Sequence, residues 1–129
     1  MIKGTGIDIV EISRIESMIR KYGRYFLDKV FSQPEIAYCG GMADAAIHYA
    51  GRWAAKEAFY KALPAPCQRR SGWKAIEVLA ASPAESAPMI TIVNGELDAE
   101  MKKAGIARIH HSISHEKQFC VALVILEGG

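Results

Sequence analysis

Apolar and polar positions change rhythm several times along this chain. Residues 4–10 (GTGIDIV) are short, β-branched and broken by Gly4 and Gly6, which predicts a strand. Directly after it, Ile12, Ile15, Met18 and Ile19 recur at helical spacing. A second helical stretch covers 22–30 and carries Tyr25, Phe26 and Val30. Ser32 offers a capping hydroxyl with Glu35 three positions on, the signature of a helix start, and Gly40-Gly41 ends that helix. Asp44 is positioned to cap a longer helix that runs to Leu63, where Pro64 stops it. Residues 64–74 predict a loop, 75–80 a strand, 82–88 a turn and 89–93 another strand. Asn94-Gly95 opens a short helix to Ala104, closed by Gly105. Strands over 108–114 and 119–126 follow. Helices dominate the first half and strands the second, with one strand at the N-terminus. That order predicts an α+β fold, a mainly antiparallel sheet packed with helices, in one domain over 1–129.

Composition narrows the classes. At 129 residues the chain has room for a single core. A net charge of +2 does not describe a polybasic nucleic-acid binder, and 50% hydrophobic residues do not describe a disordered chain. No apolar run is long enough to span a bilayer, and Met1-Ile2-Lys3-Gly4 opens no stretch of the length a signal peptide needs. Cys39, Cys67 and Cys120 are odd in number and far apart, with no Cys-x-x-Cys. The expectation is a reducing, cytoplasmic compartment with no membrane and no nucleic-acid partner.

Three places carry possible chemistry. Asp8 lies in the middle of the first strand, where alternation sets it on the face opposite Ile7 and Ile9. A carboxylate there is costly to bury unless it is paired or ligates a metal; a solvent-facing Asp capping the next helix is the simpler alternative. Stepped at helical spacing, residues 52–63 set Ala54, Ala55, Ala58, Phe59 and Ala62 on one half. Arg52, Trp53, Lys56, Glu57, Tyr60, Lys61 and Leu63 fall on the other. Cations and a carboxylate beside two aromatics suit a polyanionic ligand with a metal, although a surface helix with a Glu57–Lys61 pair at i, i+4 has the same pattern. Asp8 and Glu57 could share one Mg²⁺, which commonly takes one or two carboxylates and leaves its other positions to water and phosphates. In the third place, His110, Ser112 and Ser114 alternate with His111, Ile113 and His115. Hydroxyls and an imidazole on one strand face can donate to phosphate, while a strand does not gather the histidines into a zinc site. Finally, Arg14, Arg20, Lys21 and Arg24 cluster in the first helical region, as a solvated face or as a docking surface for an acidic protein.

Together, Gly4-x-Gly6-Ile7-Asp8-Ile9-Val10, Arg52-Trp53-Ala54-Ala55-Lys56-Glu57-Ala58-Phe59-x-Lys61-Ala62 and His110-x-Ser112-Ile113-Ser114-His115 resemble the holo-[acyl-carrier-protein] synthases. These are the small, single-domain branch of the 4'-phosphopantetheinyl transferases, and the resemblance covers nearly the whole chain in order. It implies the 4'-phosphopantetheinyl transferase fold. It also implies Mg²⁺-dependent transfer of 4'-phosphopantetheine from coenzyme A to a serine of an acidic apo acyl carrier protein, releasing adenosine 3',5'-bisphosphate and supporting fatty acid biosynthesis. By position, Asp8 and Glu57 would ligate Mg²⁺, and Lys61 would neutralise the diphosphate with Lys56 beside it. Arg52, His110 and Ser112 would contact the nucleotide end of coenzyme A. Arg14, Arg20, Lys21 and Arg24 would receive the carrier protein. A homotrimer with sites between subunits is implied as well.

A base must also take the serine proton; Glu57, a metal-bound water and Glu35 through a water are the candidates. Two stretches depart from the family pattern. A glycine-rich loop usually follows the catalytic helix, where this chain has Pro64-Ala65-Pro66-Cys67-Gln68-Arg69-Arg70-Ser71-Gly72, and Ser86-Ala87-Pro88 stands where Gly-x-Pro is common. Two other readings are a non-catalytic carrier-binding relative and a small RNA-binding domain. The intact Asp8, Glu57 and Lys61 weigh against the first, and the charge of +2 with no paired aromatic strand motif weighs against the second.

Overall fold

A computed structural model describes residues 1–80 and 87–129, so most of the turn expected over 82–88 lies outside the described residues. The elements run β1 (Ile2–Glu11), α1 (Ile12–Tyr22), α2 (Arg24–Val30), α3 (Gln33–Gly40), α4 (Ala45–Ala62), α5 (Ala65–Gln68), β2 (Ile76–Leu79), β3 (Met89–Ile92), α6 (Gly95–Lys103), β4 (Ile106–His115) and β5 (Phe119–Gly128). Two antiparallel sheets result, one of order β1-β5-β4 and one pairing β2 with β3. The mixed architecture is the α+β fold expected, with longer strands at both ends of the chain and one short helix, α5, inside the stretch expected to be all loop.

In the three-stranded sheet, Asp8 pairs with Ala122 and Ala122 with Ile113, while Ile7 pairs with Leu123 and Leu123 with Ser112. This register sorts the faces. Val10, Cys120, Ala122, Val124 and Leu126 are buried, and α4 lies across that face with Ala50, Ala54, Ala55, Ala58 and Phe59 also buried. Small residues on both sides let helix and strand approach closely. At Gly6 a Cβ would meet the carbonyl oxygen of Ala58 at 1.9 Å, and at Gly4 the carbonyl oxygen of Ala62 at 1.9 Å. The two glycines near Asp8 are therefore required by α4 rather than by a turn. The opposite sheet face is open, and Ile7, Ile9 and Leu123 stand exposed on it.

Local capping signals hold at the starts of α3 and α6. Ser32 and Glu35 form the reciprocal capping box expected of them. Asn94 Oδ1 accepts from the Leu97 backbone N–H at 2.9 Å, and Gly105, at φ 76°, ends the turn after α6. Asp44 corrects one expectation: it occupies the N-cap of α4 without a side-chain capping bond. All three cysteines are free and buried, and burial pushes the Cys39 and Cys120 thiols up to about 11. Among the described residues no helix is long and apolar enough to cross a membrane.

Candidate active site

The site forms where β1 crosses the C-terminal half of α4. Alternation turns Asp8 inward, toward the helix, and the glycine contact brings it within reach of the next helical turn. Lys61 Nζ lies 3.0 Å from Asp8 Oδ1 and donates also to the Ile7 carbonyl at 3.1 Å. Lys61 thus bridges to β1, and among the described residues the alternative Glu57–Lys61 pair is not formed. The other oxygen, Asp8 Oδ2, is buried and has no hydrogen-bond partner. A buried carboxylate oxygen left without a donor is destabilising in isolation. Glu57 sits one helical turn before Lys61 and is half-buried. Its carboxyl is pushed above the ordinary range, first by burial and then by the negative charge of Asp8, against the pull of Lys61 and Arg14.

Two carboxylates that repel one another, one with an orphaned oxygen, fit a hard divalent cation. No cluster of three or more metal-ligating side chains occurs among the described residues. Asp8 and Glu57 would thus act as a pair, leaving the remaining coordination to water and to a phosphate-bearing ligand.

The other cations of α4 require a correction. Lys56 and Arg52 do not ring this site. Lys56 Nζ is buried and lies 2.8 Å from Glu35 Oε1, 2.6 Å from the Trp73 carbonyl, and 3.1 Å from the carbonyls of Val30 and Ile76. An ammonium has three protons, so four acceptors leave it none for a phosphate. Burial pulls the Lys56 amine below its usual range, with Glu35 opposing. Arg52 is buried too, donating to the Val78 carbonyl at 3.1 Å with its guanidinium 4.8 Å from the centre of the Tyr38 ring. The physical reason is that α3 and β2 cover one flank of α4, so Arg52 and Lys56 are packed while Tyr60 and Lys61 on the same half stay exposed. Glu35 is likewise withdrawn as a base. It is fully buried, and its two oxygens accept from Ser32 N and Val78 N at 2.8 Å each while it pairs with Lys56.

His110 and Ser112 project from the open face of the sheet, and β5 separates their strand from β1. Two strand spacings, about 10 Å, and the thickness of the sheet divide them from Asp8 within one chain. His110 Nε2 lies 2.9 Å from Glu127 Oε1, which Arg108 also approaches, and together they pull the Glu127 carboxyl down. The basic cluster divides. Arg20 pairs with Glu16 and Arg24 with Asp28, each at 2.9 Å. Arg14 and Lys21 are exposed with no carboxylate partner among the described residues; the Arg14 guanidinium lies 6.0 Å from the Trp53 ring centre.

Sequence reasoning missed the neighbour of that cation. Trp73, from the segment after α5, stacks on Trp53 with ring centres 4.4 Å apart and a 29° tilt. It also walls a cavity of about 220 Å³ beside Glu57, shared with Phe59, Tyr60, Ser71 and Gly72. An aromatic in an otherwise polar loop was the available signal.

Residues 4–124 match the model of the 4'-phosphopantetheinyl transferase superfamily. A holo-[acyl-carrier-protein] synthase of Halothermothrix orenii is 42% identical over 132 residues, covering all of both chains. The solved holo-[acyl-carrier-protein] synthase of Neisseria meningitidis superposes with a TM-score of 0.82 at 26% identity, over 98% of this chain and 99% of that one. That of Bacillus anthracis, in complex with CoA (3',5'-ADP), gives 0.77 at 32% identity, over 100% of this chain and 99% of that one. The family resemblance read from three motifs is thus met along the whole chain, which belongs to the 4'-phosphopantetheinyl transferase superfamily, among its holo-[acyl-carrier-protein] synthases.

Proposed function

We propose that this domain transfers the 4'-phosphopantetheine group of coenzyme A to a serine of an acidic apo acyl carrier protein, in the cytoplasm, in support of fatty acid biosynthesis. The observation that carries this reading is Asp8, whose one oxygen holds Lys61 and whose other is buried and unpartnered beside Glu57. In the reaction the serine oxygen forms a bond to the β-phosphorus, the bond to the leaving phosphate breaks, and adenosine 3',5'-bisphosphate departs. Mg²⁺ held by Asp8 and Glu57 would supply charge neutralisation for the diphosphate. Lys61, half-exposed and already oriented by Asp8, adds a mobile cation for the leaving phosphate. With Glu35 buried, Glu57 and a metal-bound water remain as the candidates to take the serine proton. Lys56 and Arg52 belong to the scaffold behind this site. Arg14 and Lys21, exposed and free of carboxylate partners among the described residues, suit an acidic carrier helix, with Arg20 and Arg24 contributing less because each is already paired.

The open sheet face supports a homotrimer. Ile7, Ile9 and Leu123 form an exposed apolar strip beside His110 and Ser112, and a second copy seated there would bring those donors toward a neighbour's Asp8. The decisive experiment mixes the protein with apo carrier protein, coenzyme A and Mg²⁺ and weighs the carrier. Gain of one phosphopantetheine arm, abolished by chelation, is expected; no gain with a competent carrier overturns the reading. Sedimentation should show three copies, and a fully active monomer at nanomolar concentration overturns the trimer.

A further inference from the structure

Trp73 faces two ways and is held from a third side. Its ring stacks on Trp53, which in turn packs against Phe26 at 5.9 Å and lies beneath the Arg14 guanidinium. The same ring walls the cavity next to Glu57. Its carbonyl accepts the shortest of the four Lys56 contacts, 2.6 Å, from an ammonium that also ties down Val30 and Ile76. The ammonium is fixed in turn by Glu35, whose oxygens lock the start of α3 and the β2 backbone. Lys56 is the residue before Glu57, so one turn of α4 carries both the candidate metal carboxylate and the anchor of the Trp73 segment. Gly72 and Lys74, on either side of Trp73, are exposed, and the Gly72 carbonyl accepts from the Ala75 N–H at 3.1 Å to close the turn, so the backbone fixes the turn and the Lys56 contact ties it to α4.

We propose that Trp73 is a specificity-determining residue for the carrier protein, extending the Arg14 surface with an aromatic step down to the cavity beside Glu57, and that Lys56 is the positioning residue that fixes it there. The proposal rests on the transferase reading and deepens it. A carrier helix drawn in by Arg14 and Lys21 would set an apolar side chain on the Trp53–Trp73 stack, which aligns its serine with the mouth of the cavity. Lys56 also lines that cavity, but its ammonium is wholly engaged by Glu35 and three carbonyls, and it keeps the wall of that mouth in register with Glu57.

The chain holds only two tryptophans, so their stack has a private optical signature: an exciton couplet in the far-ultraviolet circular dichroism. W73A should abolish the couplet and raise KM for apo carrier protein about tenfold, the size expected of one lost aromatic anchor. KM for coenzyme A should rise less than KM for the carrier, since in this reading the diphosphate is held by Asp8, Glu57 and Lys61 rather than by Trp73. K56M should weaken the couplet and raise carrier KM in the same direction, and adding W73A to it should raise KM little further. If K56M does not fold, the neutral pair E35Q/K56M, whose single amide oxygen keeps an acceptor for one of the Ser32 and Val78 N–H groups, takes its place. A full couplet and wild-type carrier KM in either folded Lys56 variant would reduce Lys56 to a core residue and overturn the positioning role. Unchanged carrier KM in W73A, in an enzyme whose wild type transfers the arm, would overturn the specificity role alone. An inactive wild type would instead sink the transferase reading, while the couplet still tests whether Lys56 holds Trp73.

Discussion

One helix carries two lysine–carboxylate pairs five residues apart, and they have opposite fates. Lys56 and Glu35 are 2% and 0% exposed in their side chains, while Lys61 and Asp8 are 49% and 13% exposed. In the first pair the ammonium has more acceptors than protons and both carboxylate oxygens accept a bond. In the second, one carboxylate oxygen is buried with no donor. A saturated buried pair is a structural device, since any partner it lost would remain as an uncompensated charge. An unsaturated pair at the surface is a site, because something else must complete it. The difference arises from direction alone: Lys56 points into the junction of α2, α3 and β2, and Lys61 points along the edge strand β1.

The largest expected break in this comparison is Asp8→Asn. The amide keeps the size of the side chain and its bond to Lys61, but it removes the charge that makes the orphaned oxygen a ligand. Turnover should fall roughly a thousandfold or lose saturation by Mg²⁺, as several kcal/mol of transition-state stabilisation disappear. The melting temperature should hold or rise, because Glu57 loses a repelling neighbour. Unchanged turnover and metal response in steady-state assays would reduce Asp8 to a structural partner of Lys61.

The two lysines should then separate stability from activity. Lys56→Met leaves Glu35 buried and unpaired, and about 3–5 kcal/mol of folding free energy should be lost. Lys61→Met takes a half-exposed lysine from a carboxylate that is 13% exposed and should cost less, about 1–3 kcal/mol. Its effect should appear in kcat, because the leaving phosphate loses its cation. Denaturant titration beside kinetics distinguishes the two, and equal stability losses would erase the contrast drawn between the pairs.

Gly6→Ala probes how the second pair is assembled. The added Cβ would press on the Ala58 carbonyl, so β1 must lift from α4, at a cost of about 1–3 kcal/mol or more. Lifting the strand also draws Asp8 from Lys61, so activity should drop further than stability predicts. A variant with wild-type melting and kinetics would mean the strand can shift freely there.

The same contrast explains what the sequence made legible. Period-two and helical spacing are local, so the strand bearing Asp8, the capping box at Ser32 and Glu35, and the α4 span were readable from neighbouring residues. The capping box even named Glu35, but its second task lies 21 positions away on Lys56. Helical stepping assigns a residue to a direction and does not say what lies in that direction. Arg52, Lys56 and Lys61 therefore looked alike until α3 and β2 covered two of them. The Trp53–Trp73 stack was hidden for the same reason, since a loop aromatic has no period to betray its partner.

The smallest effect expected is at the rim, and it sharpens the comparison by adding unpaired cations to it. Arg14 and Lys21 lie seven residues apart on one face of α1, while Arg20 and Arg24 spend their charge on Glu16 and Asp28 at i, i+4. Like Lys61, the first two have capacity left over; like Lys56, the second two are already engaged, though in water, where such pairs add little. Reversing Arg14 and Lys21 to glutamate should raise KM for the carrier about tenfold and leave KM for coenzyme A nearly unchanged, since rim charges act mainly on encounter. Reversing Arg20 and Arg24 should do less, because their field is partly cancelled at its source. Salt should weaken the wild type in the same sense, with screening over about 8 Å at physiological ionic strength. The Arg14 charge also reaches Glu57, whose carboxyl it helps to hold down. The single Lys21→Glu variant is therefore the cleaner probe, and a smaller but parallel rise in carrier KM is expected from it. If carrier KM and its salt response survive all these reversals, α1 is a solvated face. If coenzyme A binding collapses with Arg14→Glu alone, that guanidinium belongs with the Asp8–Glu57 site instead of the docking surface.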